Sequence, residues 1–449
     1  MRSIWSEVNK RLVWRRIWAA LARCQQPYGL ATAEQIAELD ANREHVDIKR
    51  SLEIEAQIHH DLMAELKVFA GQCPNAGGIL HLGATSMDIE DNADALRIRE
   101  ALSLVLAGLG SLLDALASKI EEHAHLAVMA FTHLQPAEPT TLGYRFASYA
   151  QDLLEDINAI TAIRNETRGK GFKGAVGTAA SYFDLLGADQ FAVFEESLSR
   201  ELELPFFEVA TQTYPRRQDY RVVSALAGLG AVLYRLAFDF RLLQSPPIGE
   251  LSEPFGKNQV GSSAMPFKRN PINAEKIDSL ARALAVMPQI AWQNAGNCLL
   301  ERTLDDSANR RSMLPEAFLI VDELLRTATK IVSGLNVNHD AIRRNLDAYG
   351  PFSATERLLM AAVKRGADRQ VFHELLREHS MRAWEEVRAG RPNRLFDALA
   401  ADPRVKAVFG GADLQAWLDV DSYTGLASER SLAIAARIRG LIPQTQKFE

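Results

Sequence analysis

The chain has 449 residues, 47% of them hydrophobic, which is enough to bury a large core in two or three domains and too apolar for intrinsic disorder. A formal charge of −6 speaks against a nucleic-acid-binding surface, because neutralising phosphates takes a concentrated basic face. Three scattered cysteines, Cys24, Cys73 and Cys298, exclude a disulfide framework and a CxxC metal ribbon; five Arg/Lys among the first twenty residues exclude a signal-peptide core; and no run reaches the roughly eighteen uninterrupted apolar residues of a membrane span. The expectation is a cytoplasmic protein whose partner is a small molecule, with no nucleic acid and no membrane.

Along the chain, apolar residues recur at three- and four-residue intervals over 101–120, 143–163, 224–243 and 275–292, each stretch long enough to be a bundle helix. Few segments alternate like strands. The predicted class is therefore all-α, with three helical domains: 1–85, a long central bundle over 86–337, and a smaller one over 338–449. Loops are expected where Gly and Pro gather, at 71–83, 135–141, 171–177, 245–261 and 350–351. Helices apolar nearly all round cannot face water, which predicts that the bundle packs against further copies of itself in a multi-subunit helical core. His59, His60, His81, His123 and His125 invite a metal reading, but their spacing makes no ligand set, and His123 and His125 beside Glu121 and Glu122 read as a solvated helix end.

The most informative stretch is Gly256-Lys-Asn-Gln-Val-Gly-Ser-Ser-Ala-Met-Pro-Phe-Lys-Arg-Asn-Pro271, a polar loop (256–271) leading into an amphipathic helix that starts near Pro271. Hydroxyls at Ser262 and Ser263, charges at Lys268 and Arg269, the Asn270 amide and the free N–H groups of a helix N-terminus suit closure over an anion. A solvated loop with a polar helix cap fits the same residues.

This loop resembles the long motif of the fumarase/aspartase superfamily in the form that adenylosuccinate lyases carry, in the branch that includes the animal enzymes. The resemblance extends, in the family's order, to Ile79-Leu-His-Leu-Gly-Ala-Thr-Ser86, Phe131-Thr-His-Leu-Gln-Pro136, Thr211-Gln-Thr-Tyr214 and Glu301-Arg-Thr-Leu-Asp-Asp-Ser-Ala-Asn-Arg-Arg311. It implies a cofactor-free, metal-free β-elimination that releases fumarate, from adenylosuccinate to give AMP and from the succinylaminoimidazole carboxamide ribotide. Such chemistry needs a base, an acid and donors that stabilise a carbanion spread into a carboxylate. By resemblance Ser262 is the general base, its anion stabilised by Lys268, Asn270 and the following helix N-terminus, and His133 is the general acid toward the departing amino nitrogen. His60 and His81 match two further active-site histidines, with Asp61 orienting a ring or binding ribose, and Glu275 pairs with a catalytic histidine. Substrate contacts fall by resemblance to His59, Thr85, Ser86, Thr132, Gln212, Ser263, Met265 and Lys276, with Arg302, Ser307 and Arg311 on the nucleotide phosphate. The resemblance also implies a homotetramer whose active sites are each built from three subunits.

The chain departs from the family in several places. Enzymes of this branch begin with an Arg-Tyr segment ending in Pro-Glu-Met, and Met1 aligns with that final Met. Either the start is internal to a longer chain, or the substrate lacks the usual nucleotide phosphate; Arg302 and Arg311 favour the first. His59 and Lys276 stand where the family has Arg, which keeps charge but gives up the bidentate fork, and Phe267 replaces a Tyr or His. Two other functions fit the same motifs: a superfamily lyase acting on a different succinylated amine, and a catalytically silent structural relative.

Overall fold

In a computed structural model the described residues are 1–410, 414, 417 and 419–445, the last four by backbone alone. Local sequence starts each N-terminal helix. Ser6 accepts from Asn9 N–H at 3.1 Å to cap α1 (Glu7–Gln25), and a Thr32/Gln35 capping box opens α2 (Ala33–Asn42). Next come α3 (Ile48–Ile58), α4 (Asp61–Gln72) and α5 (Ser86–His123), a 38-residue helix. The bundle continues with α6 (Leu142–Glu166), α9 (Arg217–Gln244), α10 (Ile272–Ala285) and α12 (Asp305–Ser333), while α7 (Ala180–Leu186) packs on α8 (Ala188–Glu201), which returns to α1. After α13 (His339–Lys364) come α14 (Arg369–Arg388), α15 (Leu395–Ala401), α16 (Pro403–Phe409) and a C-terminal helix, Ala427–Thr445, laid on α5 and α6. The class is all-α, as expected.

Among the described residues, three cores hold these elements together. The largest gathers Leu102, Leu109, Leu116, Leu153, Leu226, Leu233 and Leu324 from α5, α6, α9 and α12. The first 95 residues share a second core with 172–204, where Trp18, Phe69, Phe172, Tyr182 and Phe194 meet. A third, around Leu358, Phe372, Leu395 and Val405, joins α13 to α14, α15 and α16.

Four expectations are corrected. The segment 135–141 is a strand, β2 (Gln135–Thr141), paired antiparallel with β1 (Ala127–Thr132) around a bulge between Met129 and Phe131. Gly350 and Pro351 lie inside α13 instead of ending it, because Gly350 packs closely against Val420 and tertiary contact outweighs the one ladder bond that proline removes. The stretch 275–292 is two helices, α10 and α11 (Met287–Gly296), broken before Pro288. His123 is not on a solvated face: it is 5% exposed and packs on Phe146, with ring centroids 6.3 Å apart.

Candidate active site

A cavity of about 380 Å³ opens between α1, the α3–α4 break, the N-terminus of α5, the segment around Gln212 and the start of α12. It gathers His59, His60, Asp61, Thr85, Ser86, Gln212, Arg302, Ser307 and Arg311, residues from four separate stretches of the chain. His59 closes α3 in a left-handed conformation (φ 53°) and His60 caps α4, so one sharp break sets both rings at the cavity. The Nδ1 of His60 accepts from Met63 N–H at 3.4 Å, and its Nε2 lies 3.3 Å from Ser86 Oγ. Asp61 faces Arg311 at 3.2 Å and Lys10 at 3.7 Å.

Thr85 and Ser86 owe their place to buried Asp88, whose carboxylate accepts from Thr85 N–H at 3.0 Å and Lys173 N–H at 3.1 Å and pairs with Lys170. The start of α5 thereby points into the cavity, where a helix N-terminus favours an anion. Arg302 donates to Asp306 at 2.7 Å, and Asp306 also accepts from Arg216 at 2.6 Å. Gln212 N–H donates to Glu301 O at 3.2 Å, tying the Gln212 segment to the loop before α12. Behind this wall, Arg216 reaches Asp91 at 2.9 Å, Arg310 reaches Asp219 at 2.7 Å, and the Tyr214 hydroxyl donates to Asp219 at 2.5 Å. A buried network so extensively paired, with Arg216 Nη2 left without a hydrogen-bond partner, fixes the wall rigidly and leaves donors of Arg302 and Arg311 for an oxyanion.

Several cavity residues were not anticipated. Glu7, Lys10 and Trp14 line it from one face of α1, a spacing of three and four readable as a shared helical face although not as a binding one. Arg97, Arg310, Asp94 and Glu90 line it as well. Arg310 falls on the buried stripe with Met313, Leu314 and Ala317, the signal that separates its structural role from that of Arg311, whose side chain is 58% exposed. Burial beside Asp61, Asp94 and Asp91 pushes the Glu90 carboxyl up to about 8, against the pull of Arg311.

The remaining expected residues lie elsewhere in the chain. Thr132 and His133 are exposed at the β1–β2 tip, where His133 (φ 55°) and Leu134 (φ 59°) form a two-residue turn with both in the left-handed region. Ser262, Ser263, Met265 and Lys268 sit on the largely exposed loop 256–271. There Ser262 Oγ accepts from Met265 N–H at 3.1 Å and Ala264 N–H at 3.4 Å, so backbone donors, not Lys268 or Asn270, surround it; the Asn270 amide is engaged with Gly261 O at 3.1 Å. Nor is the start of α10 free to hold an anion. The buried Glu253 carboxylate accepts from Asn273 N–H at 3.1 Å and Ala274 N–H at 2.6 Å, filling the positions a substrate carboxylate would need. Glu275 lies 3.8 Å from Arg241, with no histidine partner among the described residues, and Lys276 is paired with Glu323 at 2.6 Å on the outer surface. His81 (φ 65°), in the turn before Thr85 and partly exposed, is not among the residues lining this cavity; it accepts from Trp18 Nε1–H at 3.1 Å, and burial pushes its ring pKa down.

The chain matches a family model described as "Lyase" over residues 2–285 and one described as "Adenylosuccinate lyase C-terminus" over residues 351–430. It is 41% identical over 403 residues to an adenylosuccinate lyase of Schistosoma mansoni, covering 88% of this chain and 84% of the relative. With an adenylosuccinate lyase of Saccharomyces cerevisiae it shares 38% over 440 residues, 96% of this chain and 90% of the relative. Among solved structures, a 3-carboxy-cis,cis-muconate lactonizing enzyme from Pseudomonas putida superposes with a TM-score of 0.86 at 27% identity, covering 100% of this chain and 97% of that one. With the motif residues of the cavity in place and relatives this similar along most of its length, the chain belongs to the adenylosuccinate lyase family and is a C–N lyase.

Proposed function

We propose that the enzyme eliminates fumarate from adenylosuccinate to give AMP, and from the succinylaminoimidazole carboxamide ribotide, working without a cofactor in the cytoplasm as a homotetramer. The cavity carries this reading: Arg302, Ser307, Arg311 and the start of α5 suit a nucleotide phosphate, with His59, His60 and Asp61 toward the ribose and base. Ser262 is the general base, its oxygen already facing the Met265 and Ala264 N–H groups that would stabilise an alkoxide, and His133 is the general acid. Neither lines the cavity of its own chain. Sites completed by neighbouring subunits account for this, and the division near residues 85 and 337 belongs to the same proposal.

Incubation with adenylosuccinate should yield AMP and fumarate in equal amounts. Ser262→Ala should lose at least about a thousandfold in turnover with the oligomer intact; retained activity would remove Ser262 from the role of base. One observation favours a second reading, a different succinylated amine: Glu7, Glu90 and Asp94 line the same cavity and would repel a phosphate when ionised. Turnover of a non-nucleotide succinylated amine in preference to adenylosuccinate would decide for it.

A further inference from the structure

His81 and Trp18 form a contact that the elimination as described above does not use. His81 lies in the turn between the 3₁₀ segment Gly77–Ile79 and α5, five residues before Ser86, in a left-handed conformation that a histidine adopts at a cost. That turn is pinned from α1 twice: Gln25 Nε2 donates to Leu82 O at 3.0 Å, and Trp18 Nε1 donates to His81 Nδ1 at 3.1 Å. Trp18 is 1% exposed, set against Phe69 and edge-on to the His81 ring, with an interplanar angle of 80°.

An indole nitrogen can only donate, so the His81 nitrogen facing it must be the one without a proton. The other tautomer, and the imidazolium, would each put an N–H against the indole N–H and lose the bond. The contact therefore fixes the ring's orientation and its tautomer together, as a partner at one nitrogen does for the other. Burial pushes the ring's pKa down in the same direction, with His60 adding to the effect and Asp88 opposing it.

We propose that Trp18 is a positioning residue for the elimination: its indole N–H holds His81 in the Nε2–H tautomer, so that the ring presents a fixed hydrogen-bond donor to the substrate. The proposal rests on His81 belonging to the active site. It gives His81 a role distinct from the proton-transferring His133, since a ring locked in this form donates a hydrogen bond and does not shuttle a proton.

The test replaces Trp18 alone with β-(3-benzothienyl)alanine, which keeps the shape of the indole and puts sulfur where the N–H was. The expected result is a fall in kcat of about tenfold or more with KM changed less than about twofold, oligomeric mass and melting temperature unchanged, and the acid limb of the kcat profile moved to higher pH. Unchanged kcat and an unchanged pH profile would overturn the proposal. The ring-¹⁵N spectrum of histidine-labelled enzyme, assigned with His81→Gln, reads the tautomer whatever the substrate proves to be. Protonated Nε2 and bare Nδ1 at neutral pH, lost in the isostere, are expected; a protonated Nδ1 in the unaltered protein would overturn the proposal even where adenylosuccinate is not turned over. Failure of the unaltered enzyme to act on adenylosuccinate, with the tautomer as expected, would instead count against the substrate reading alone.

Discussion

Glu90 stands at the cavity wall among Asp61, Asp91 and Asp94, with Arg311 partly offsetting them, and burial raises its carboxyl to about 8. Unfolded, it titrates near the ordinary 4.5. Between those values the folded protein keeps a proton that the unfolded chain has released, so stability falls as pH rises from about 4.5 to 8 and then levels off. Glu90→Gln imitates the protonated form. It should melt several degrees above the parent at pH 9, a gain of at most about 3–5 kcal/mol, and the two should converge by pH 5 in a calorimetric series. Arg311 makes a different point, because its side chain is 58% exposed and meets only Asp61 among the described acids. Arg311→Lys keeps the charge and loses the fork, and should raise KM for a nucleotide substrate by roughly tenfold with kcat little changed. The likeness of motif already marks Arg302, Ser307 and Arg311 in the sequence, but Glu90, Lys10 and Arg97 carry no such mark. They become cavity residues because α1 and α5 happen to flank the same opening.

At the scale of elements, the N-terminus of α10 illustrates how a helix end that looks free in sequence is already occupied. Glu253, nineteen positions before Ile272, folds back and takes the Asn273 and Ala274 N–H groups together with the Asn273 amide at 2.7 Å. Glu253→Ala should cost about 1–2 kcal/mol, read as a lower midpoint in denaturant, and should also lower turnover, because the cap ties together the two ends of the loop that carries Ser262. The hairpin that carries His133 was hidden for a related reason. Two residues with positive φ at its tip, His133 and Leu134, replace the Asn-Gly pair that would announce such a turn, and Pro136 and Pro139 in β2 argue against a strand. Pairing with β1 fixes the conformation in spite of these local preferences.

For the whole molecule, the long apolar helices remain incompletely covered. The most apolar window of α5 is 56% buried and that of α9 is 44% buried. Val286, Trp292, Leu299, Leu300 and Leu304 are all more than half exposed along the run from α10 to α12. These exposed apolar residues are what the proposed homotetramer would bury. Trp292→Glu should lower the oligomeric mass by light scattering and cut turnover at least about tenfold, with the helical circular dichroism preserved; unchanged mass would remove this run from the interface.

By itself the sequence determined the all-α class and the bundle helices, because a three-and-four spacing of apolar side chains leaves a helix one way to bury them. It also determined the motif residues that line the cavity. Only the tertiary structure decided which donors are spent and which remain: Glu253 on α10, Asp306 on Arg302, the Ala264 and Met265 amides on Ser262, Trp18 on His81. Hydrogen-bond partners are chosen by position in space across long separations in the chain, and a pattern of residue types along one dimension does not encode that choice.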